Sequence, residues 1–216
     1  MKPRTAHGGL LLAAIACALF AAPTRAAIVF DSLSGTLYTG SYGGIETGDA
    51  ITLAGTERAV TGFDFRMRVN TGAQYYFSIY DIDAGTGLPD NLLWQSPLQT
   101  WTGPFSPVTV ITVPVPNVVV PDDIALTHTN VSGQTFYLNS DLPTTGSTSQ
   151  HVLRGPPTDP WTGVVLSFGI GATIYADPVP EPASLALLGL GALLIARRRQ
   201  PSSPPPSVQP RTRYEV

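Results

Sequence analysis

The alternation of apolar and polar residues in the middle of the chain constrains its fold more than any other feature. In the segment GFDFRMRV, Phe63, Phe65, Met67 and Val69 are apolar, and the residues between them are charged. A period of two places alternate side chains on opposite faces of a β-strand, whereas a helix repeats about every 3.6 residues. The segment therefore predicts a half-buried antiparallel strand.

Further short strands are predicted across residues 27–177. The gaps between them are rich in Gly, Pro, Asn, Asp, Ser and Thr, which end strands by favouring turns or by removing an amide donor. The segments with strand character are AIVFDSL, AITLAG, GFDFRMRV, YYFSIYDI, PVTVITV, DIALTHT, TFYLNS, VVLSF and ATIYA. NTGAQ joins the third and fourth of these at hairpin length, so those two strands are expected to pair.

This succession of strands, without a sustained helical period between them, indicates an all-β protein rather than an α/β protein with crossover helices. We predict an antiparallel, jelly-roll-like β-sandwich as the ectodomain over residues 27–177. Pro114, Pro116 and Pro121 limit the segment VPVPNVVVP to an edge or connecting role, because proline has no amide proton to donate to a ladder.

The charge of the chain is unevenly distributed. Residues 1–26 and residues 178–216 each carry a net charge of +3, whereas residues 27–177 hold thirteen carboxylates against four arginines, a net charge of −9. Proteins that bind nucleic acids need lysine and arginine to neutralise phosphates. The acidic central region therefore argues against DNA or RNA as a partner.

The first 26 residues have the layout of a secretory signal peptide. A basic start precedes an apolar stretch from Leu10 to Ala22, and small residues follow it. The stretch is shorter than the roughly 20 residues that span a bilayer, so removal is expected rather than retention as a membrane helix. Thr24 and Ala26 predict cleavage after Ala26. Because Cys17 is the only cysteine, the mature protein is expected to contain no disulfide.

A second apolar stretch lies in VPEPASLALLGLGALLIARRRQ, residues 179–200. Residues 183–196 would form about 21 Å of helix, against a hydrocarbon core of about 30 Å. Three arginines, at 197–199, follow at once and favour a cytoplasmic stop that leaves the preceding chain on the exported side. We predict one short transmembrane helix, since a core helix would not be apolar on all sides and end in three cations.

The order of these elements resembles the PEP-CTERM sorting domain of exported bacterial proteins over residues 178–199. Pro180, Glu181 and Pro182 match its motif, and Arg197, Arg198 and Arg199 match its terminal cluster. The resemblance implies recognition by an exosortase, a membrane enzyme that cuts near the motif. It also implies a Gram-negative host, an inner-membrane-tethered intermediate, and delivery to the cell surface or to an exopolysaccharide matrix such as a biofilm.

Two further segments bear on this resemblance. Residues 200–216 depart from the family pattern, which usually ends near the arginines; they are rich in Pro and Ser and are predicted to be a disordered tail. The central region is similar to ectodomains found ahead of this signal, in FSIYDIDAGTGLPDNLLWQS, LPTTGSTS and FGIGATIYA. That similarity implies no agreed biochemical activity.

No recognised catalytic motif stands in the central region. Its two histidines are His128 and His151, and no G-x-S-x-G, H-E-x-x-H or cysteine-based motif accompanies them. A Ser-His-Asp site stays open, because its members can be distant in sequence. We expect both histidines to be polar strand or loop residues. The chain is thus predicted to be a noncatalytic surface or matrix protein, with a secreted polysaccharide hydrolase as the alternative.

The loop DIDAGTGLPDN raises the hypothesis of a calcium site. Asp81, Asp83 and Asp90 offer the hard oxygen ligands that calcium prefers, and the glycines permit a sharp turn. The loop departs from the EF-hand pattern, because Gly85 takes an acidic position and no glutamate closes it. An ordinary turn with solvated carboxylates is the preferred interpretation, and no cofactor is otherwise expected.

Aromatic residues raise the hypothesis of a glycan-binding face. If Phe77 and Ile79 point into the core, alternation places Tyr76 and Tyr80 together on the outer face. Flat rings on a sheet can stack on sugar rings, which would suit a calcium-dependent adhesive or carbohydrate-binding module. The alternative is structural: tyrosine favours strands, and tryptophans anchor loops to a core.

Overall fold

The computed structural model describes residues 26–33, 38–39, 45–140, 142–155, 158–165 and 169–179. These residues form strands joined by turns and loops, with no helix among them. The predicted signal peptide up to residue 25, the anchor helix 183–196 and the tail 200–216 lie outside them. No helix in the described part of the chain is long and apolar enough to cross a bilayer.

The strands are β1 (Ala27–Asp31), β2 (Tyr38–Thr39), β3 (Glu46–Thr52), β4 (Ala59–Val69), β5 (Gln74–Ile82), β6 (Pro89–Gln95), β7 (Gln99–Thr100), β8 (Ser106–Val119), β9 (Asp123–Ser132), β10 (Thr135–Ser140), β11 (Ser147–Arg154), β12 (Thr162–Val164), β13 (Gly169–Ile170) and β14 (Ala172–Asp177).

The strands form two sheets in which every pairing is antiparallel. The first sheet is built around β4: β8 pairs along one edge, while β14 and then β10 share the other, and β1, β2 and β13 extend it. The second sheet has the order β12-β11-β3-β9-β5-β6, and β7 also pairs with β5. The predicted all-β antiparallel class is confirmed, and the arrangement is that of a β-sandwich.

A single large core lies between the sheets. The alternation predicted for β4 is confirmed, since Phe63, Phe65, Met67 and Val69 are all fully buried. They meet the apolar face of the second sheet, where the Phe77 ring lies 5.4 Å from Phe63 and 5.0 Å from Phe65 between centroids. Contacts of this kind bury large aromatic areas and hold the two sheets face to face.

The expected pairing of β4 with β5 is wrong. β4 belongs to the first sheet and β5 to the second, so the turn after Val69 crosses the sandwich instead of closing a hairpin. The crossing is fixed by hydrogen bonds from Asn70 N to Gln134 O and from Gly72 N to Trp101 O. The physical reason is that both strands carry an apolar face of large side chains, and facing sheets bury both at once.

Several strand assignments also need correction. β3 begins at Glu46, four residues before the predicted AITLAG segment, and the polar strands β6 and β11 were not predicted. The edge role expected of the proline-containing segment is confirmed, because β8 pairs only with β4 among the described strands.

His128 lies in the core and not on a polar surface. Its ring centroid is within 6.0 Å of those of Phe65, Phe77 and Tyr75, and neither ring nitrogen has a hydrogen-bond partner among the described residues. Burial without a partner disfavours the charged imidazolium and lowers the pKa of His128 to about 3. The side chain is therefore neutral in the folded protein at physiological pH.

This buried imidazole predicts a specific loss of stability in acid. The unfolded chain takes up the proton near the ordinary histidine pKa of 6.5, whereas the folded chain does so only near 3. The unfolded state thus binds more protons between these values, and stability falls as the pH falls. From pH 7 to pH 5 the contribution is about 2 kcal/mol. Denaturant unfolding of wild type and His128→Leu at both pH values should show that much less acid sensitivity in the variant. Equal acid sensitivity in the two proteins would contradict the assignment.

Candidate functional site

The outer face of the second sheet carries a polar and aromatic cluster, which we call the Glu46 cluster. It is formed by Glu46 at the start of β3, Tyr80 on β5, Thr127 on β9, Arg154 at the end of β11, and Trp161 before β12. Cross-strand register opposes Glu46 and Arg154 directly. Four adjacent strands of one sheet therefore bring these side chains together from distant parts of the sequence.

Glycine is required where β3 approaches β9 in this cluster. A side chain at position 48 would collide with the backbone of Leu126 and Thr127. With glycine there, the Thr127 hydroxyl donates to Glu46 Oε1 at 2.6 Å.

Every carboxylate oxygen of Glu46 is engaged. Oε1 accepts hydrogen bonds from the hydroxyls of Thr127 and Tyr80, the latter at 3.0 Å. Oε2 accepts from Arg154 Nε at 2.9 Å and Nη2 at 2.6 Å. The Arg154 guanidinium also lies 4.4 Å from the centroid of the Trp161 ring. A buried ion pair satisfied in this way joins strands; it leaves no free acceptor for proton transfer.

The structure separates the two tyrosines of the glycan hypothesis. Phe77 and Ile79 are buried in the core, as expected, so Tyr76 and Tyr80 share the outer face. Tyr80 is only 4% exposed, because the Trp161 ring packs edge-on against it at 5.4 Å. Burial, and then the Glu46 charge, raise the pKa of the Tyr80 hydroxyl. Tyr76 is partly exposed and is the more accessible of the two rings.

The three aspartates of the calcium hypothesis are occupied by local contacts. Asp83 Oδ1 accepts hydrogen bonds from the Thr86 hydroxyl and from the backbone amides of Thr86 and Gly85, which lower the pKa of Asp83 and close the turn before β6. Asp81 accepts the backbone amide of Asn91, whose side chain bridges Asp81 and Asp90. Among the described residues no group of three acidic or histidine side chains is placed to hold a metal ion.

A second polar group, which we call the Asp49 network, lies between the sheets. His151 Nδ1 is 2.7 Å from Asp49 Oδ1, and His151 Nε2 is 2.8 Å from Thr47 Oγ1. Asp49 Oδ2 accepts the backbone amide of Ile170 at 2.6 Å, which links β3 of the second sheet to β13 of the first. Burial raises the pKa of the Asp49 carboxyl, while the hydrogen bond and charge of His151 oppose that rise.

The order hydroxyl, imidazole, carboxylate in this network resembles the relay of a nucleophilic hydrolase. Its accessibility does not fit that chemistry, because Thr47 is 1% exposed and a nucleophile must reach the substrate. We therefore assign the Asp49 network to holding the sheets together. His151 lies on strand β11, in line with the expected strand or loop position, and its side chain is buried in this network.

The sequence did not reveal either polar group. The four charged and histidine residues of these groups lie on two strands: Glu46 and Asp49 on β3, and His151 and Arg154 on β11. The polar composition of these two segments gave no pattern from which buried strand positions could be predicted. One signal was available: a glutamate and an aspartate three residues apart flank a glycine, and a histidine and an arginine occur with the same spacing. Of the tryptophans, Trp94 and Trp101 pack on the main core, as the structural interpretation expected.

The described residues thus form an all-β fold whose last strand, β14, ends at Asp177, directly before the C-terminal segment of the chain. Residues 178–200 of that segment match the PEP-CTERM protein-sorting motif. The predicted resemblance is confirmed, and the motif supports an exported protein that is targeted to an exosortase through a membrane-anchored intermediate. Comparison with curated proteins and with solved structures gives no match.

The first prediction for these sites concerns the Glu46 cluster. Glu46→Ala should destabilise the protein by about 3–5 kcal/mol, because it removes the carboxylate that pairs with the largely buried Arg154 guanidinium. Denaturant unfolding measures the change. Asp122→Ala is the matched control: Asp122 also pairs with an arginine, Arg58, but is 75% exposed, so about 0–1 kcal/mol is expected. Similar losses in both variants would show that the cluster is not a buried clamp.

The Asp49 network gives a second prediction. Asp49→Asn should cost about 1–3 kcal/mol, because an amide cannot accept from both His151 and the Ile170 amide as the carboxylate does. The matched control is Asp123→Asn, at an exposed carboxylate that accepts the Thr52 hydroxyl at 2.6 Å. Its effect should lie within about 0.5 kcal/mol. Thermal unfolding compares the two variants, and an unchanged midpoint for Asp49→Asn would refute the structural role.

Proposed function

We propose that the chain is a noncatalytic surface or extracellular-matrix protein of a Gram-negative bacterium, released by an exosortase and associated with exopolysaccharide. The observation that carries this proposal is the match of residues 178–200 to the sorting motif. In it, Pro180, Glu181 and Pro182 are the recognised residues, residues 183–196 are a temporary membrane tether, and residues 197–199 are its cytoplasmic stop.

The junction between the folded region and the motif supports this division of labour. β14 ends at Asp177 and is held on both edges, by β1 and β4. Pro178 and Val179 are exposed and precede the motif directly. A cut near the motif would therefore release the sandwich without removing any described strand. At the other end, cleavage after Ala26 would leave Ala27 as the first residue of β1.

The polar groups of the described residues favour a binding or structural role over hydrolysis. The Glu46 carboxylate has no free oxygen, and the Thr47 hydroxyl is enclosed between the sheets. Neither arrangement offers a proton acceptor or a nucleophile to a polysaccharide chain. The hydrolase alternative therefore draws no support from these two groups.

The proposal predicts that the motif controls release. Alanine at Pro180, Glu181 and Pro182 should leave a full-length, membrane-bound precursor, because the exosortase loses its recognition sequence while the tether stays intact. Immunoblots of membrane, surface and medium fractions from the native host measure the distribution.

A matched control uses the prolines of the tail. Alanine at Pro204, Pro205 and Pro206 replaces the same number of residues near the same end of the chain but leaves the motif intact. Release should therefore proceed as in wild type. Normal release of the motif variant, or equal retention of both variants, would overturn the proposal.

A further inference from the structure

The outer face of the first sheet carries a cationic and aromatic surface that none of the foregoing roles uses. Arg66 and Arg68 project from β4 on the face opposite the core. The Arg68 guanidinium carbon lies 4.9 Å from the Phe105 ring centroid and 5.5 Å from the Phe136 ring centroid. Arg66 is paired in register with Val110 of β8, which is substantially exposed. We call these five residues the arginine patch.

The two arginines of the patch differ from the other two of the folded region. Arg58 is ion-paired with Asp122 at 2.7 Å, and Arg154 with Glu46 at 2.6 Å. Arg66 and Arg68 make no ion pair with any described residue. Their Nε atoms are shielded from solvent and have no acceptor in the described part of the chain. The Nε groups have therefore lost water without gaining an acceptor, and no described carboxylate pairs with either charge, which leaves both guanidinium groups able to attract an anion.

The nearest acidic side chain along the same strand does not neutralise the patch by direct pairing. Asp64 is committed to hydroxyl donors, Thr112 Oγ1 at 2.6 Å and Tyr175 Oη at 2.8 Å. Two unpaired cations thus stand side by side in a region whose net charge is −9. Neighbouring positions of the same face on a strand are about 7 Å apart, so two separate anionic groups can be engaged.

The chemistry of the patch matches a polymer that has both carboxylates and apolar ring faces. Guanidinium groups bind carboxylates through paired N–H donors. Phe105 is 48% exposed, and with Val110 it offers apolar surface beside those donors. Sugar rings can stack on such surface while their carboxylates meet the arginines.

We infer that the arginine patch binds a carboxylate-bearing polysaccharide, that is, a polymer of uronic acids. The inference rests on the proposed association with exopolysaccharide and specifies its chemical class. A nucleic acid is disfavoured by its charge density, since a duplex carries about one negative charge per 1.7 Å, more than two arginines in an acidic region can offset. An anionic lipid surface would meet the same two arginines, and the experiment distinguishes it.

The test measures binding of the full chain, held in nanodiscs of zwitterionic lipid, to polygalacturonate and to its methyl-esterified form. The esterified polymer has the same rings without the charge. Wild type should bind the acidic polymer at least about tenfold more tightly than the ester, and added salt should weaken the binding. Arg66→Gln combined with Arg68→Gln should weaken it by about tenfold or more, because two charge-assisted contacts are lost.

The control is Arg211→Gln combined with Arg213→Gln, which removes the same charge at the same sequence spacing outside residues 27–177. Its affinity should equal that of wild type. A cooperative denaturant-unfolding transition in each variant shows that the variant is folded. Equal binding of the ester, full affinity in the Arg66/Arg68 variant, or binding to phosphatidylglycerol vesicles in place of polygalacturonate would overturn the inference. Release by the exosortase is measured in parallel for wild type. Normal release of a wild-type chain that does not bind polygalacturonate would reject the arginine patch alone, whereas a failure of the proposed function appears in the motif experiment.

Discussion

The fold depends on two apolar strand faces that bury each other. Phe63 and Phe65 on one sheet meet Phe77 on the other at ring separations of 5.0–5.4 Å, and the remaining core residues extend this contact along the sandwich. A chain with a single cysteine cannot add an internal disulfide, so packing and hydrogen bonds supply the stability. His128 also contributes to this core by packing, since its ring lies among the rings of Phe65, Tyr75 and Phe77. Neither of its nitrogens has a hydrogen-bond partner among the described residues.

Buried polar groups add specific hydrogen bonds between strands that the apolar core already packs together. The Asp49 network links β3 and β11 of one sheet to the backbone of β13 in the other, and so fixes how the sheets meet at that end of the sandwich. The Glu46 cluster ties four strands together on the outer face of the second sheet. Both groups are closed on themselves, as buried polar groups must be if they are not to destabilise the fold. The arginine patch differs from these two groups, because the Nε atoms of Arg66 and Arg68 have no acceptor among the described residues, and its charge points to an anionic ligand.

The sorting motif and the proposed binding surface occupy different parts of the chain. The sorting motif at residues 178–200 begins where the last strand ends, so the signal can act without altering the sandwich. The two outer faces of the sandwich also differ. On the second sheet Trp161 packs over Tyr80, whereas the first sheet presents Arg66 and Arg68, which form no ion pair within the described part of the chain. A protein delivered to an anionic matrix could bind that matrix through the arginine-bearing face of the first sheet.

The sequence by itself determined the features that depend on local order. The period of two in β4 set its buried and exposed faces, the prolines of β8 kept that strand at an edge, and the Pro-Glu-Pro segment with its arginines identified the sorting signal. Only the tertiary structure decided which strands pair and which polar residues meet. Val69 and Gln74 are near neighbours in sequence, yet their strands lie in opposite sheets. Glu46 and Arg154 meet although more than a hundred residues separate them. The physical reason is that strand pairing and side-chain burial are settled by the whole core, in which distant segments compete for the same apolar faces, and no local pattern records that competition.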